Sequence, residues 1–248
     1  MKNSLRRAFT LIEVLVVVAI LLALAALVFV MANRGSESAK SVATLNNLRE
    51  IGVAAASWTG DNNSFFMPCW DNTSGRNRSY AQVLDPYLHG VDEYRKADSK
   101  FVGPNARLPM KVNAYSHPIT FSLNRAVCRD VTDYGGFSES LIHVTQVERP
   151  SEVIMMADGC QNPRNLNQAN ASAYRIYDQT GDSGPLSEWD EAIAVGPDVD
   201  ESRGDGWFRY HNGKCHALFC DGSSRAMLKG TIKKRNLWLD IVREATDE

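Results

Sequence analysis

The chain has 248 residues, 27 basic against 29 acidic side chains and a formal net charge of −2. With no basic block behind its apolar N-terminal stretch, nucleic-acid binding has no electrostatic support. About 215 residues remain beyond that stretch, enough for one sizeable core. The five cysteines, Cys69, Cys128, Cys160, Cys215 and Cys220, form an odd set without a C-x-x-C pair, which argues against a zinc ribbon or a thioredoxin-type site. Outside the cytoplasm a disulfide is permitted, but spacing does not choose the pair.

From residue 11 to residue 32 only Glu13 is charged, and the run exceeds the roughly 18 residues that mark a transmembrane helix. Lys2, Arg6 and Arg7 precede it. The positive-inside bias therefore leaves the N-terminus in the cytoplasm and sends everything after Asn33 outside. An acid inside a membrane helix costs roughly 2.5–3.5 kcal/mol on insertion scales and calls for a partner.

The stretch Arg6-Arg7-Ala8-Phe9-Thr10-Leu11-Ile12-Glu13 with its apolar continuation resembles the processing site of type IV prepilins and type II secretion pseudopilins. The resemblance implies a prepilin peptidase that cuts between Ala8 and Phe9 and methylates the new amine. Glu13 would then be the fifth residue of the mature chain. Ala8 stands where the family usually has glycine. The resemblance also implies a leader over residues 1–8, a transmembrane half-helix over 9–32, an amphipathic extension over 33–60 and an exported β-rich head over 61–248. The partner implied for Glu13 is the α-amine of a neighbouring subunit's Phe9, a pairing that sets helix register in a polymer of pilin or pseudopilin subunits. Two readings compete. A secretory signal peptide would use the A-x-A-like site in Leu22-Ala23-Leu24-Ala25-Ala26, and a plain single-pass anchor would not be processed. Both still export the rest.

Ala39, Val42, Leu45, Leu48, Ile51 and Ala55 recur at three- or four-residue steps, and Gly60-Asp61-Asn62-Asn63 is a stop signal. One helix from Thr10 to about Trp58, roughly 70–75 Å long, follows from 1.5 Å per residue. Gly35 and Ser36 offer a break, and two separate helices are the alternative. Further on, Asp71-Asn72-Thr73-Ser74-Gly75-Arg76-Asn77-Arg78 is a polar loop. Residues 81–88 predict a short helix with Tyr80, Val83, Leu84 and Tyr87 as its apolar contacts. The alternation over residues 120–124 predicts a strand.

Val153-Ile154-Met155-Met156-Ala157 reads as a buried strand entering a turn at Asp158-Gly159. Near the C-terminus, Asn212-Gly213 and Asp221-Gly222 separate three apolar runs, over 207–211, 215–220 and 223–227. Such dipeptides want φ > 0 at both central positions and predict a three-stranded antiparallel meander. Lys233-Lys234-Arg235 reads as the wet face of a short C-terminal helix. His211, nine residues and Asp221-Gly222 are similar to the H-X9-DG element, spanning 211–222, of a large set of prepilin-like proteins. The upstream run from Glu148 to Asp158 is similar to a strand of the same group. That resemblance supplies no role for the His and Asp.

Three constellations are candidates for chemistry. Asp158, His211 and Asp221 would suit a divalent metal or a hydrolase if they converged; otherwise Asp221 serves its turn and His211 satisfies backbone groups across the hairpin. Asp198, Asp200 and Asp205, in the acidic loop over residues 196–206, suit calcium, but their spacing is not that of an EF-hand, and a solvated turn competes. Trp189 and Trp207 would stack on sugars or cap the core. No catalytic motif occurs, so no cofactor is expected and calcium stays open. The expected fold is α+β, one long N-terminal helix packed on a C-terminal antiparallel sheet. The expected function is a structural subunit of a type II secretion pseudopilus or type IV pilus, in protein export or surface attachment. It would sit in the bacterial inner membrane with its head in the periplasm. A membrane-tethered module that binds calcium or glycan without polymerising is the alternative, and an exported hydrolase a third.

Overall fold

The computed structural model describes residues 10–73, 78–88, 93–96, 98–108, 118–132, 140–161, 175–176, 183–185, 188–193 and 208–242. The chain divides into two compact units, Met1–Lys40 and Ser41–Glu248. Helix α1 (Leu11–Asp61) is continuous through Gly35 and Ser36, and a Cβ added at Gly35 would meet nothing. Within the first unit every residue from Thr10 to Lys40 is exposed except the half-buried Glu37. Length and composition make this helix a candidate membrane span.

The second unit is built on a five-stranded sheet. The described strands of this unit are β1 (Trp70–Asn72), β2 (Arg78–Ser79), β3 (Phe121–Asn124), β4 (Asp130–Thr132), β5 (Ile154–Asp158), β6 (Arg175–Ile176), β7 (Ser183–Pro185), β8 (Lys214–Phe219), β9 (Ser224–Leu228) and β10 (Asp240–Val242). The main sheet runs β6-β3-β5-β8-β9, with a second sheet β2-β1-β4 and a pair β10-β7. Within the main sheet all neighbours are antiparallel except β3 and β6. Helix α2 (Tyr80–Leu88) takes in Pro86. It buries Tyr80, Ala81, Val83 and Leu84, close to the contacts expected for it, though Tyr87 is only half-buried. The α+β, pilin-like architecture expected from the sequence is present.

The buried face of α1 consists of Thr44, Leu48, Ile51, Gly52, Ala54 and Ala55. Leu48, Ile51 and Ala55 were on the expected stripe; Ala39 and Val42 are exposed. The reason is helical drift. At about 100° per residue, repeated steps of three fall behind the turn, so Val42 lies about 180° round the helix from Ile51. Thr44, Gly52 and Ala54 fill the face instead. Gly52 sets the closest approach: a Cβ there would lie 2.9 Å from Leu218 Cδ1 on β8 and 3.5 Å from the Gly222 carbonyl.

Alternation along β8 sorts its side chains between two apolar clusters. Leu218 joins Leu48, Ile51, Phe121 and Leu123, whereas Cys215, Ala217 and Phe219 join Ile154, Phe208, Ile232 and Leu237. On β5 the alternation breaks, because the pairing with β8 shifts between Ile154 and Met156. Met155 and Met156 consequently lie in the same cluster, the one that contains α1. A bulge adds one residue and shifts the phase of everything after it, so Asp158 shares the side of Met156. The run therefore does not turn at Asp158-Gly159 as expected. It ends inside the core, where the Gly159 N–H donates to the Thr120 carbonyl at 2.8 Å.

At the C-terminus, Asn212 (φ 49°) and Gly213 (φ 75°) form the expected two-residue turn, with His211 and Lys214 exchanging both backbone hydrogen bonds. The second turn differs. Only Gly222 has positive φ, at 82°; its N–H donates to Phe219 and that of Phe219 to Ser223, a three-residue loop ended by glycine. The first expected strand of the meander reduces to bridges at Phe208 and His211. Lys234–Asn236 is one 3-10 turn, and its bases are paired: Lys234 with Glu188 and Glu191, Lys233 and Arg235 with Asp190.

The packing of α1 makes a direct forecast. Leu48→Ala should destabilise the second unit by roughly 2–5 kcal/mol through the cavity it leaves, whereas Val42→Ala should stay within about 0.5 kcal/mol. Chemical denaturation of the detergent-solubilised full chain measures both. Similar costs at the two positions would refute this assignment of the buried face.

Candidate functional site

Among the described residues, polar chemistry gathers at the start of α1 and at the contact of its later turns with the sheet, among other places. At the start, the Thr10 N–H and Oγ1 donate to Glu13 Oε2 at 2.8 and 2.9 Å, and the Glu13 N–H donates back to Thr10 Oγ1 at 3.3 Å. This reciprocal pattern at T-x-x-E spacing is a capping box, which satisfies N–H groups that a helix start leaves open. It also aims the carboxylate toward the N-terminal side. Ala8 and Phe9 lie outside the described residues.

The second place is centred on Asp158, which is fully buried. One carboxylate oxygen, Oδ2, collects the His216 backbone N–H at 2.9 Å, His216 Nδ1 at 2.6 Å and the Asn105 amide at 3.2 Å. Arg209 Nη2 stands 3.9 Å from the other oxygen and donates to Asn105 Oδ1 at 3.0 Å. An ionised carboxylate only accepts, so the His216 proton on this side sits at Nδ1. Nε2 then faces Ser41 Oγ on α1, 2.6 Å away. Each position follows from the fold: the bulge turns Asp158 toward α1, alternation along β8 puts His216 on the side of Leu218, and the backbone N–H of Arg209 is tied to the Asp158 carbonyl at 2.9 Å. Gly103 leaves room for the amide, since a Cβ there would lie 2.7 Å from Asn105 Oδ1.

Burial by itself pushes the Asp158 carboxyl up, but the His216 bonds and the Arg209 charge outweigh it and hold the group below the ordinary carboxylate range. The order Ser41, His216, Asp158 is that of a hydrolytic triad. The setting is not. Ser41 lies mid-helix in α1, where backbone N–H groups are committed to the helix and cannot form an oxyanion hole, and His216 is 1% exposed. The arrangement works as a polar latch between α1 and the sheet.

Of the residues singled out from sequence, Asp158 lies at this latch, but its partner is His216, not His211 or Asp221. Those two flank opposite ends of β8, which puts roughly 17 Å of strand between them at 3.3–3.4 Å per residue. Among the described residues no group of three His, Cys, Asp or Glu side chains is placed to hold a metal. Asp198, Asp200, Asp205 and Trp207 lie outside the described residues. The Trp189 ring carries the Arg149 guanidinium at 4.0 Å and lies 6.5 Å from the Trp238 ring, so it caps a packed corner. The latch residues missed in the sequence are His216, Ser41, Asn105 and Arg209, and only the histidine had a signal: it sits inside an apolar strand at the phase of Leu218.

Residues 3–29 match the family model described as the prokaryotic N-terminal methylation motif. No curated protein and no solved structure matches the chain. The start of α1 is thus the continuation of a prepilin-type segment, whose motif implies processing by prepilin peptidase and assembly with pilin-like subunits.

His216→Ala would leave a buried carboxylate short of its main partner and should cost roughly 3–5 kcal/mol, read by denaturant unfolding. The folded Asp158 carboxyl lies below its unfolded value of about 3.9, so its contribution is fully present above about pH 4 and disappears as pH falls through the folded value. Asp158→Asn should remove that part of the acid-side slope. An identical slope in wild type and variant would show that folding does not lower the Asp158 carboxyl.

Proposed function

We propose that this chain is a structural, membrane-anchored subunit of a pilin-like filament, of the type II secretion pseudopilus or type IV pilus kind, acting in protein export or surface attachment. One observation carries the reading: residues 11–32 form an exposed helix with a single acid, and the methylation motif matched over residues 3–29 runs into it. Such a surface cannot stay in water. A bilayer covers it in the free subunit and neighbouring helices cover it in a filament. Glu13 explains why the cover changes. Among the described residues the partners of its carboxylate are the Thr10 N–H and hydroxyl, both neutral, whereas in a filament the cationic amine of an adjacent Phe9 would meet a carboxylate already turned toward it. Lys2, Arg6 and Arg7 would hold the leader in the cytoplasm and place the head in the periplasm. The role is architectural, with no reaction assigned to the head.

Mass spectrometry of the purified native protein should find N-methyl-Phe9 as the first residue, with residues 1–8 gone. A terminus near Ala26 would mean conventional secretion and end the filament reading. In the same system, Glu13→Ala should reduce filament incorporation at least tenfold while membrane insertion persists. Normal incorporation would reject the Phe9–Glu13 pairing.

A further inference from the structure

Where α1 ends, the second unit carries a cleft of about 630 Å³ lined by Trp58, Asp61, Asn62, Asp71, Arg78 and Tyr87, with Pro68, Val83 and Pro86 as apolar wall. That volume is in the range of small-molecule sites, which combine apolar walls with a few placed polar groups. Local structure explains the concavity. Asn63 and Ser64 both take positive φ, 53° and 62°, and swing the chain away from the helix axis. Ser64 does so at a cost, because only Gly, and sometimes Asn or Asp, enters this region readily.

The polar groups are fixed in advance. Asp71 Oδ1 accepts the Thr73 N–H and hydroxyl at 3.0 and 2.7 Å, and Oδ2 is paired with Arg78. The Tyr87 hydroxyl donates to Asp61 Oδ2 at 3.1 Å, and the Asn62 amide donates to the Trp58 carbonyl at 2.7 Å. Trp58 and Tyr87 are half-buried, packed against the core cluster. Held in this way, the groups lose little freedom when a ligand arrives.

We infer that this cleft binds a neutral oligosaccharide. A sugar ring presents a C–H face that packs on aromatic rings and a rim of hydroxyls that donate to carboxylates, and the cleft offers both, Trp58 and Tyr87 beside Asp61 and Asp71. Anionic ligands are disfavoured, since the described lining holds two carboxylates against one guanidinium. The site is independent of polymerisation: it lies wholly in the second unit and would serve a filament subunit or a lone anchored chain alike.

The test uses the full-length chain in a detergent without a sugar headgroup, applied to an array of neutral gluco-, xylo-, manno- and N-acetylglucosamine oligosaccharides alongside sialylated glycans and unmodified peptides. At least one neutral oligosaccharide should be retained, and Trp58→Ala and Asp71→Asn should each weaken its retention at least tenfold, while Val53→Ala, an exposed change elsewhere on α1, leaves it unaltered. Thermal melts confirm folding. If Asp71→Asn melts early, Tyr87→Ala replaces it. Retention of none of the neutral set, retention indifferent to both cleft variants, or preference for the sialylated glycans or peptides would each overturn the assignment. None of these outcomes alters the mature N-terminus, so this inference and the filament reading fail separately.

Discussion

A single ionised carboxylate between helix and sheet constrains the second unit. Asp158 has no contact with water, and an isolated charge in such a place would be prohibitive. It is tolerable only while His216, Asn105 and Arg209 stand around it together. Those residues come from separate segments, β8, the loop near residue 105 and the bridge segment after residue 207, and the Ser41 hydroxyl extends the chain of bonds to α1. One charge therefore requires four pieces of chain to be placed before any of them is comfortable. The hydrogen bond between Ser41 and His216 thus adds a polar tie to the apolar contact that Gly52 makes with Leu218.

The same helix answers a second demand with different chemistry. Its candidate membrane portion is apolar on all sides and, among the described residues, exposed along its length. Between residues 41 and 61 it is small and apolar on one face, where Gly52 and Ala55 let the helix sit close to β8. Small residues at the contact and charged ones opposite (Arg49 and Glu50, the latter paired with Lys100 at 2.8 Å) are what a helix half covered by its own sheet requires.

Much of this was legible in the sequence because it is local. The Asn212-Gly213 turn needs only two residues of the right conformational tolerance, and the buried strand at 154–158 announces itself by a run of large apolar side chains. What was not legible depends on phase. The stripe on α1 was read through Val42 because steps of three look periodic in a sequence but precess on a helix. Asp158 looked like a turn residue because Asp-Gly usually is one. The bulge between Ile154 and Met156, which no residue type marks, decides that its side chain faces α1 and meets His216. The cleft was invisible for a similar reason: Trp58, Asp71, Arg78 and Tyr87 come from two helices and two short strands whose pairing lies in no short stretch of sequence.

The spacing between His211 and Asp221 then acquires a mechanical meaning. The Asn212-Gly213 turn begins at His211, whose backbone closes onto Lys214 in both directions. Six residues of β8 follow, and the next loop holds Asp221, whose Oδ1 accepts the Ser223 N–H at 2.8 Å while its own N–H donates to the Pro150 carbonyl. Nine intervening residues are thus a two-residue turn, one strand that crosses the sheet, and Cys220 as the first step of the next loop. A residue added between them would lengthen β8 by one and exchange the faces of all that follows, carrying Leu218 off α1 or His216 off Asp158. In this chain the spacing needs no ligand shared by the two residues. It is the measured width of a strand that has to deliver an imidazole and a leucine to the same side of the sheet.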